Sequence, residues 1–284
     1  MDEFSAILKA REFVARTDST EIPVELKPYL AQVESVLRVD HDLSEDEAGC
    51  CVTIGGRRHI VVNGNDSAER QRFTVCHEIA HIILNLPSQH TETPLWSYST
   101  RPTNEIYCDV FAAELLLPYR LFKPAADRAI ICFAALDDLA GEFVASVMAT
   151  GSRFAAAVDV PCAFVISQER ITRYASRSKA LREVGAWIPP GRRLPAGSAS
   201  LRASGMTIES GEIAADEWFE DWRRGGSLIE EARYLTRWKQ TLTLLWFEDE
   251  EIPSSHEEGE SECEEGLEEL TGTLPWPGRR KRRR

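Results

Sequence analysis

The stretch Arg72 to Leu86, RFTVCHEIAHIILNL, decides how the rest of this 284-residue chain is read. An α-helix turns about 100° per residue, so His77 and His81, four apart, project from one face, with Glu78 beside them. This H-E-x-x-H spacing suits two imidazoles holding one Zn²⁺ ion while the glutamate stays off the metal and takes a proton from a water. Zinc lowers the pKa of such a water from about 15.7 towards about 7. A buried helix whose histidines merely hydrogen-bond would show the same five residues. However, Phe73, Val75, Ile79, Ala80, Ile82, Ile83 and Leu84 make the helix apolar nearly all round, as in a core. Imidazoles and a carboxylate buried there need partners, and a metal site supplies them.

A catalytic zinc takes a third protein ligand and keeps one open position. The next strong helix, Asn104 to Leu117, reads NEIYCDVFAAELLL and is stopped by Pro118. Glu105 and Asp109 are four apart and share a face, whereas Glu114 lies about half a turn from Glu105. Glu105 is therefore expected as the third ligand. Asp109 then suits the role of accepting the spare N–H of a ligating histidine, which fixes its tautomer. The bland alternative is two surface acids near a helix N-terminus, where negative charge is favoured anyway.

Together, ERQRFTVCHEIAHIIL and NEIYCDVFAAELLLP resemble the ImmA/IrrE family of bacterial metallopeptidases, with its RFT-x-x-HE-x-x-H helix and its E-x-x-C/A-N/D-x-F-A-x-x-L-L-x-P helix. The glutamate pattern is also similar to that of thermolysin-like zinc peptidases. This chain has Cys76 and Asp109 where the family often has Ala and Asn, and neither change touches a ligand. The resemblance implies a zincin-like fold and a narrow proteolytic role. The implied substrate is a helix-turn-helix (XRE-type) transcriptional repressor, whose cleavage releases stress-response or mobile-element genes. Residue spacing alone gives only the hydrolytic chemistry. Zn²⁺ is the expected metal, with Mn²⁺ also accepted by a His-His-Glu set.

Composition sets the outer bounds. A hydrophobic fraction of 43% is that of an ordinary globular protein, and the length leaves room for more than one domain. No secretory signal and no apolar run near 18 residues is seen, so no membrane partner is expected. Seven scattered cysteines form no C-x-x-C pair or disulfide framework, which fits a reducing, cytoplasmic setting. Cys76 and Cys108, beside the site, are read as small apolar packing rather than as redox sensors. A formal charge of −13 argues against a protein whose main business is a nucleic-acid backbone, so direct nucleic-acid binding is not expected. Much of that charge is local: about a dozen acids and no Lys or Arg lie between Glu248 and Glu269, and the chain ends in GRRKRRR.

Elsewhere, Met1 to Val14 reads as a short helix and Tyr29 to Val39 as a second. Cys51 to Ile54, a Gly55-Gly56 turn and His59 to Val62 read as a β-hairpin. By analogy with zinc peptidases, His59 to Val62 is a candidate for the edge strand along the substrate cleft; the alternative is an ordinary core strand. The loop Pro87 to Thr103 is long enough to suggest function, and His90 or Tyr98 could reach the cleft from it.

LA-x-x-F-x-x-S, within Leu136 to Val160, resembles a helix-turn-helix unit. Only Arg153 gives that segment positive charge, so a helical lid is the preferred reading over a DNA contact. Strands are expected at Ala163 to Ser167, Ile171 to Ala175 and Thr241 to Phe247, and a helix at Leu228 to Trp238.

The expected fold is thus α+β. A zincin-like metallopeptidase domain (1–125) leads to a small helical, helix-turn-helix-like segment (126–160). A C-terminal α+β domain (161–249) follows, sensor-like as in family members that carry a GAF-like domain there. The acidic then basic tail (250–284) has little to bury and is expected to be disordered. The expected function is metal-dependent endopeptidase, with Glu78 catalytic, His77, His81 and Glu105 on the metal, and Asp109 behind them. The alternative is a non-proteolytic regulator that binds DNA or a repressor through the helical segment.

Overall fold

A computed structural model of the chain describes residues 2–17, 20–87, 102–248 and 252. The tail expected to be disordered, apart from Ile252, and the candidate cleft residues His90 and Tyr98 lie outside them. The protein is α+β, and among the described residues no helix is long and apolar enough to cross a membrane.

Helix α1 (Glu3–Ala15) is capped by Asp2, whose side chain accepts from the Ser5 amide at 2.7 Å, and it buries Ala6, Ala10, Phe13 and Val14. The next helix, α2 (Leu26–Gln32), ends earlier than the sequence suggests. Glu34 takes a left-handed turn (φ 51°), and Ser35–Asp40 forms strand β1 rather than helix. The β-branched Val36 and Val39 favour this, and β1 gains a full parallel ladder with β3 (Arg57–Asn63). Strand β2 (Gly49–Ile54) pairs antiparallel with the other side of β3 across the two-residue turn at Gly55 and Gly56. Both glycines have positive φ (58° and 78°), as a type I′ hairpin turn requires.

The sheet order is therefore β1-β3-β2. This corrects the reading of His59–Val62 as a cleft edge: β3 is the central strand, because β1 takes up its second side. The edge that approaches the helix containing Thr74 belongs to β2. Close approach there depends on Gly49, where a Cβ would meet the Val61 carbonyl at 2.3 Å and Thr74 at 2.8 Å.

Helix α3 (Ala68–Leu84) packs against this sheet and against α4 (Thr103–Leu116), and α1 lies along α4. After Pro118 come α5 (Tyr119–Ala126), α6 (Phe133–Phe143) and α7 (Val147–Ala157). The α6–α7 turn has Val144 in the left-handed region (φ 49°) and Ser146 as the cap of α7.

A five-stranded antiparallel sheet follows, built from β4 (Cys162–Gln168), β5 (Ile171–Arg177), β6 (Glu209–Ala214), β7 (Ser227–Leu235) and β8 (Gln240–Phe247), in the order β5-β4-β8-β7-β6. The expected helix over 228–238 is thus largely strand β7. Its Leu, Glu, Ala and Arg favour helix in isolation, but pairing with β6 and β8 on both sides overrides that preference. Side chains alternate along β7. Leu228 and Glu230 face a cluster with Leu181, Trp218, Phe219 and Phe247, under the short helices α8 (Lys179–Glu183), α9 (Ala199–Arg202) and α10 (Ala215–Trp218). Glu231 and Arg233 face α6.

The opposite sheet face, with Phe164, Ile166, Leu242 and Leu244, joins one apolar cluster that runs back through α7, α6, α4 and α3 to α1. Gly151 of α7 sits where a Cβ would meet the Phe164 ring at 2.3 Å, so the helix lies directly on β4. Within α7 only Ala156 stays exposed.

Candidate metal centre

Helix α3 delivers His77 and His81 one turn apart, with ring centroids 4.8 Å from each other. Helix α4 brings Glu105, in its first turn, against them. Nε2 of His77 lies 3.0 Å from Nε2 of His81 and 3.1 Å from a Glu105 carboxylate oxygen, and Nε2 of His81 lies 3.5 Å from the other Glu105 oxygen. All three residues are buried.

The far side of each ring sets its tautomer. Nδ1 of His77 lies 3.0 Å from an Asp109 oxygen, and Nδ1 of His81 lies 3.1 Å from the Leu86 carbonyl. Both partners are acceptors, so each Nδ1 donates and each ring turns its Nε2 inward. Two imidazole nitrogens and a carboxylate then converge within one buried spot, a donor set that a cation would satisfy. The spacings of 3.0–3.5 Å are close to the edge of about 3.4 Å of a tetrahedron with bonds near 2.0–2.1 Å, typical of zinc with nitrogen and oxygen ligands. The group His77, His81 and Glu105 could hold a metal ion, and it fits one chemically.

Local sequence explains the Leu86 contact. Helix α3 ends with Asn85 in the left-handed conformation (φ 53°), a conformation asparagine tolerates better than most residues. The reversal lets the Leu86 amide reach the His81 carbonyl at 3.1 Å and turns the Leu86 carbonyl onto the His81 ring. In the sequence, the signal for this His81 partner is the Asn85-Leu86 pair directly after the helix.

Glu78 is 1% exposed, and its Oε2 has no hydrogen-bond partner among the described residues. Its charge is felt by β2: burial raises the pKa values of the Cys50 and Cys51 thiols, and the Glu78 carboxylate raises them further. Cys76 and Cys108 are fully buried in the core, and burial pushes the Cys76 thiol up to about 12, well outside the reactive range.

Arg72 donates to the Val24 carbonyl at 2.8 Å and serves the fold. Glu114, further along α4, takes no part in the centre. It receives Arg153 at 2.7 Å, Arg11 at 3.3 Å and the Tyr119 amide at 3.1 Å.

Residues 22–154 match the Peptidase_M78 family model, described as the IrrE N-terminal-like domain. The match begins before α2, contains both metal-site helices and ends inside α7. Among solved structures, a Mycobacterium tuberculosis transcriptional regulator has a similar fold, with a TM-score of 0.55 and 14% identity, covering 87% of this chain and 77% of that one. At that identity the likeness concerns the fold alone, and its reach includes the C-terminal sheet. No curated protein sequence matches the chain.

Proposed function

As an ImmA/IrrE family protein by its IrrE N-terminal-like domain, the chain is, we propose, a metal-dependent endopeptidase that cuts a helix-turn-helix transcriptional repressor in the cytoplasm. The observation that carries this reading is the convergence of three buried acceptors, His77, His81 and Glu105, beside a buried carboxylate with an unpartnered oxygen, Glu78. A plain structural helix pair would have no use for that arrangement.

In this reading His77, His81 and Glu105 hold the metal, which is Zn²⁺ with Mn²⁺ as an acceptable substitute. When bound, it would polarise the scissile carbonyl and allow a water to lose a proton near neutral pH. Glu78 accepts that proton and later returns it to the leaving amine. Asp109 and the Leu86 carbonyl keep the two imidazoles turned inward, so the ligands need no rearrangement. The open edge of β2, next to Glu78, offers backbone N–H and C=O groups to an extended substrate segment.

The repressor as substrate follows from the family resemblance, together with the outcome expected of it: release of stress-response or mobile-element genes. The five-stranded unit over 161–249 fits the sensor-like role, and the helical segment over 126–160 joins it to the peptidase core. A reading as a DNA binder through that segment gains nothing from the fold, since α7 has almost no exposed side to offer a groove.

The test is incubation of the intact protein, with zinc and separately with manganese, with the helix-turn-helix repressor encoded nearest to its gene. Products are read by mass spectrometry, with Glu78→Gln run alongside. We expect one cut, slowed by about 10²–10⁴-fold in the variant while metal content is unchanged. Equal cleavage by Glu78→Gln would remove Glu78 from its role. A metal-loaded protein that leaves this repressor intact would count against it as substrate.

A further inference from the structure

The three-stranded sheet has two edges, β1 and β2, and they differ in charge. Strand β2 (GCCVTI) has no charged residue, whereas β1 (SVLRVD) carries one cation and one anion, Arg38 and Asp40. Leu37 and Val39 of β1 are 38% and 47% exposed, although they lie level with Ile60 and Val62 of β3, which are buried. The apolar side of the sheet thus runs past its core to an uncovered margin.

The ladder fixes which backbone groups of β1 are spoken for. The Gly64 amide donates to the Asp40 carbonyl at 2.7 Å, continuing the parallel pairing of Asp40 with Asn63. Residues two apart along a strand turn their N–H and C=O groups the same way, so Val36, Arg38 and Asp40 bond to β3 while Leu37 and Val39 face outward. Among the described residues, none bonds to these outward groups. Such an edge is a template for another strand.

Edges are commonly defended by charges of one sign, which repel a second copy. Strand β1 does the opposite. Arg38 and Asp40 flank Val39, so an antiparallel copy centred on Val39 sets Arg38 of each chain opposite Asp40 of the other. Val39 then meets Val39 as a hydrogen-bonded pair through the outward N–H and C=O groups. Arg38 and Asp40 meet as non-hydrogen-bonded pairs, where side chains come closest. Their neighbours on β3, Val61 and Asn63, bring no competing charge. Within one chain Arg38 reaches Asp40 only at 3.3 Å and stays 56% exposed, while the Asp42 amide at 3.0 Å steadies the carboxylate. A two-fold interface must be complementary to itself, and this charge pattern is.

We propose that β1 pairs with β1 of a second copy of this chain, joining two sheets into one of six strands in the order β2-β3-β1-β1-β3-β2. The β2 edges, which approach α3, lie at the two outer margins and stay open in the pair. The pairing requires no metal and is independent of the peptidase activity proposed above. One six-residue strand from each copy makes a contact smaller than the about 1,200 Å² of a stable complex, so the association is weak and depends on concentration.

Sedimentation equilibrium of the intact chain tests it, at about 0.15 M salt, where the repulsion between two chains of formal charge −13 is screened beyond about 8 Å. A dimer that grows with concentration up to about 0.5 mM is expected, and a monomer throughout would overturn the proposal. Val39→Lys and Val39→Glu each set like charges face to face at the axis and should weaken the dimer about tenfold or more, with native far-ultraviolet circular dichroism. An equimolar mixture of the two variants should associate at least as tightly as the unmodified chain. An undiminished dimer in either variant would place the contact elsewhere and refute the pairing, as would a mixture that shows no recovery.

Amide hydrogen exchange of the unmodified chain gives a check that needs no variant. Raising the concentration should slow exchange at Leu37 and Val39, whose N–H groups face outward, and leave Arg38, already bonded to β3, unchanged. A dimer with no slowing at Leu37 and Val39 would likewise rule out β1 as its interface.

Discussion

Two helix pairs in this molecule bury charged and polar side chains, and they do so in opposite ways. In α6 and α7 the charged groups meet complements, and only the Thr150 hydroxyl is buried without a partner among the described residues. Asp137 takes a two-pronged bond from Arg233 at 2.6 and 2.8 Å, Glu231 accepts the Phe133 amide at 2.6 Å, and Arg153 meets Glu114 at 2.7 Å. In α3 and α4 the complements of the Nδ1 atoms lie on the outside of the cluster, at Asp109 and Leu86, and two imidazole nitrogens and a carboxylate converge inward. Satisfied burial ties elements together, whereas convergent acceptors leave room for something positive. Arg153, the one Lys or Arg of α6 and α7, teaches the same lesson: it points inward and ties α7 to α4.

The contrast can be broken most sharply at the proposed metal ligands. His81→Ala should abolish metal retention and cleavage while the far-ultraviolet circular dichroism stays native; full metal content by mass spectrometry would refute the ligand role. Arg153→Met should do the reverse. It leaves the nearly inaccessible Glu114 with the half-exposed Arg11 as its one cation and the Tyr119 amide, and removing one partner of a buried pair costs about 3–5 kcal/mol, visible in the denaturant midpoint. Its metal stoichiometry should be unchanged, and a metal defect at intact stability would erase the distinction between the two pairs.

A finer test is Asp109→Asn. The amide can still accept from Nδ1 but loses its charge, so metal affinity should fall about 10–100-fold with little change in melting temperature. An unaltered affinity would remove Asp109 from the site. The smallest expected effect is Gly151→Ala, where the added methyl group presses on Phe164. A loss of about 1–3 kcal/mol is expected, with metal binding intact. A neutral outcome would mean that α7 is held on β4 less closely than the geometry implies.

The parts legible in the sequence are those with short-range causes. The i, i+4 histidines, the Gly55-Gly56 turn and the apolar run of β8 follow from neighbours a few residues apart, and they stand in the structure where the spacing puts them. Misreadings occurred where pairing partners are distant. Residues 35–39 and 228–235 have helix-compatible composition, yet ladders with β3, and with β6 and β8, draw them into strands. The same distant pairing moved β3 from an edge to the centre and left β2 beside Glu78.

By itself, the sequence determined which side chains could meet a metal, because helical periodicity sets the spacing of His77 and His81, and of Glu105 and Asp109, without help from the rest of the chain. Only the tertiary structure decided that the two helices pack so that Glu105 faces both imidazoles, and that α7 is covered. The physical reason is that periodicity acts through neighbouring turns, whereas those decisions depend on contacts between residues 25 to 100 apart in the chain. These contacts form only when the whole apolar cluster closes.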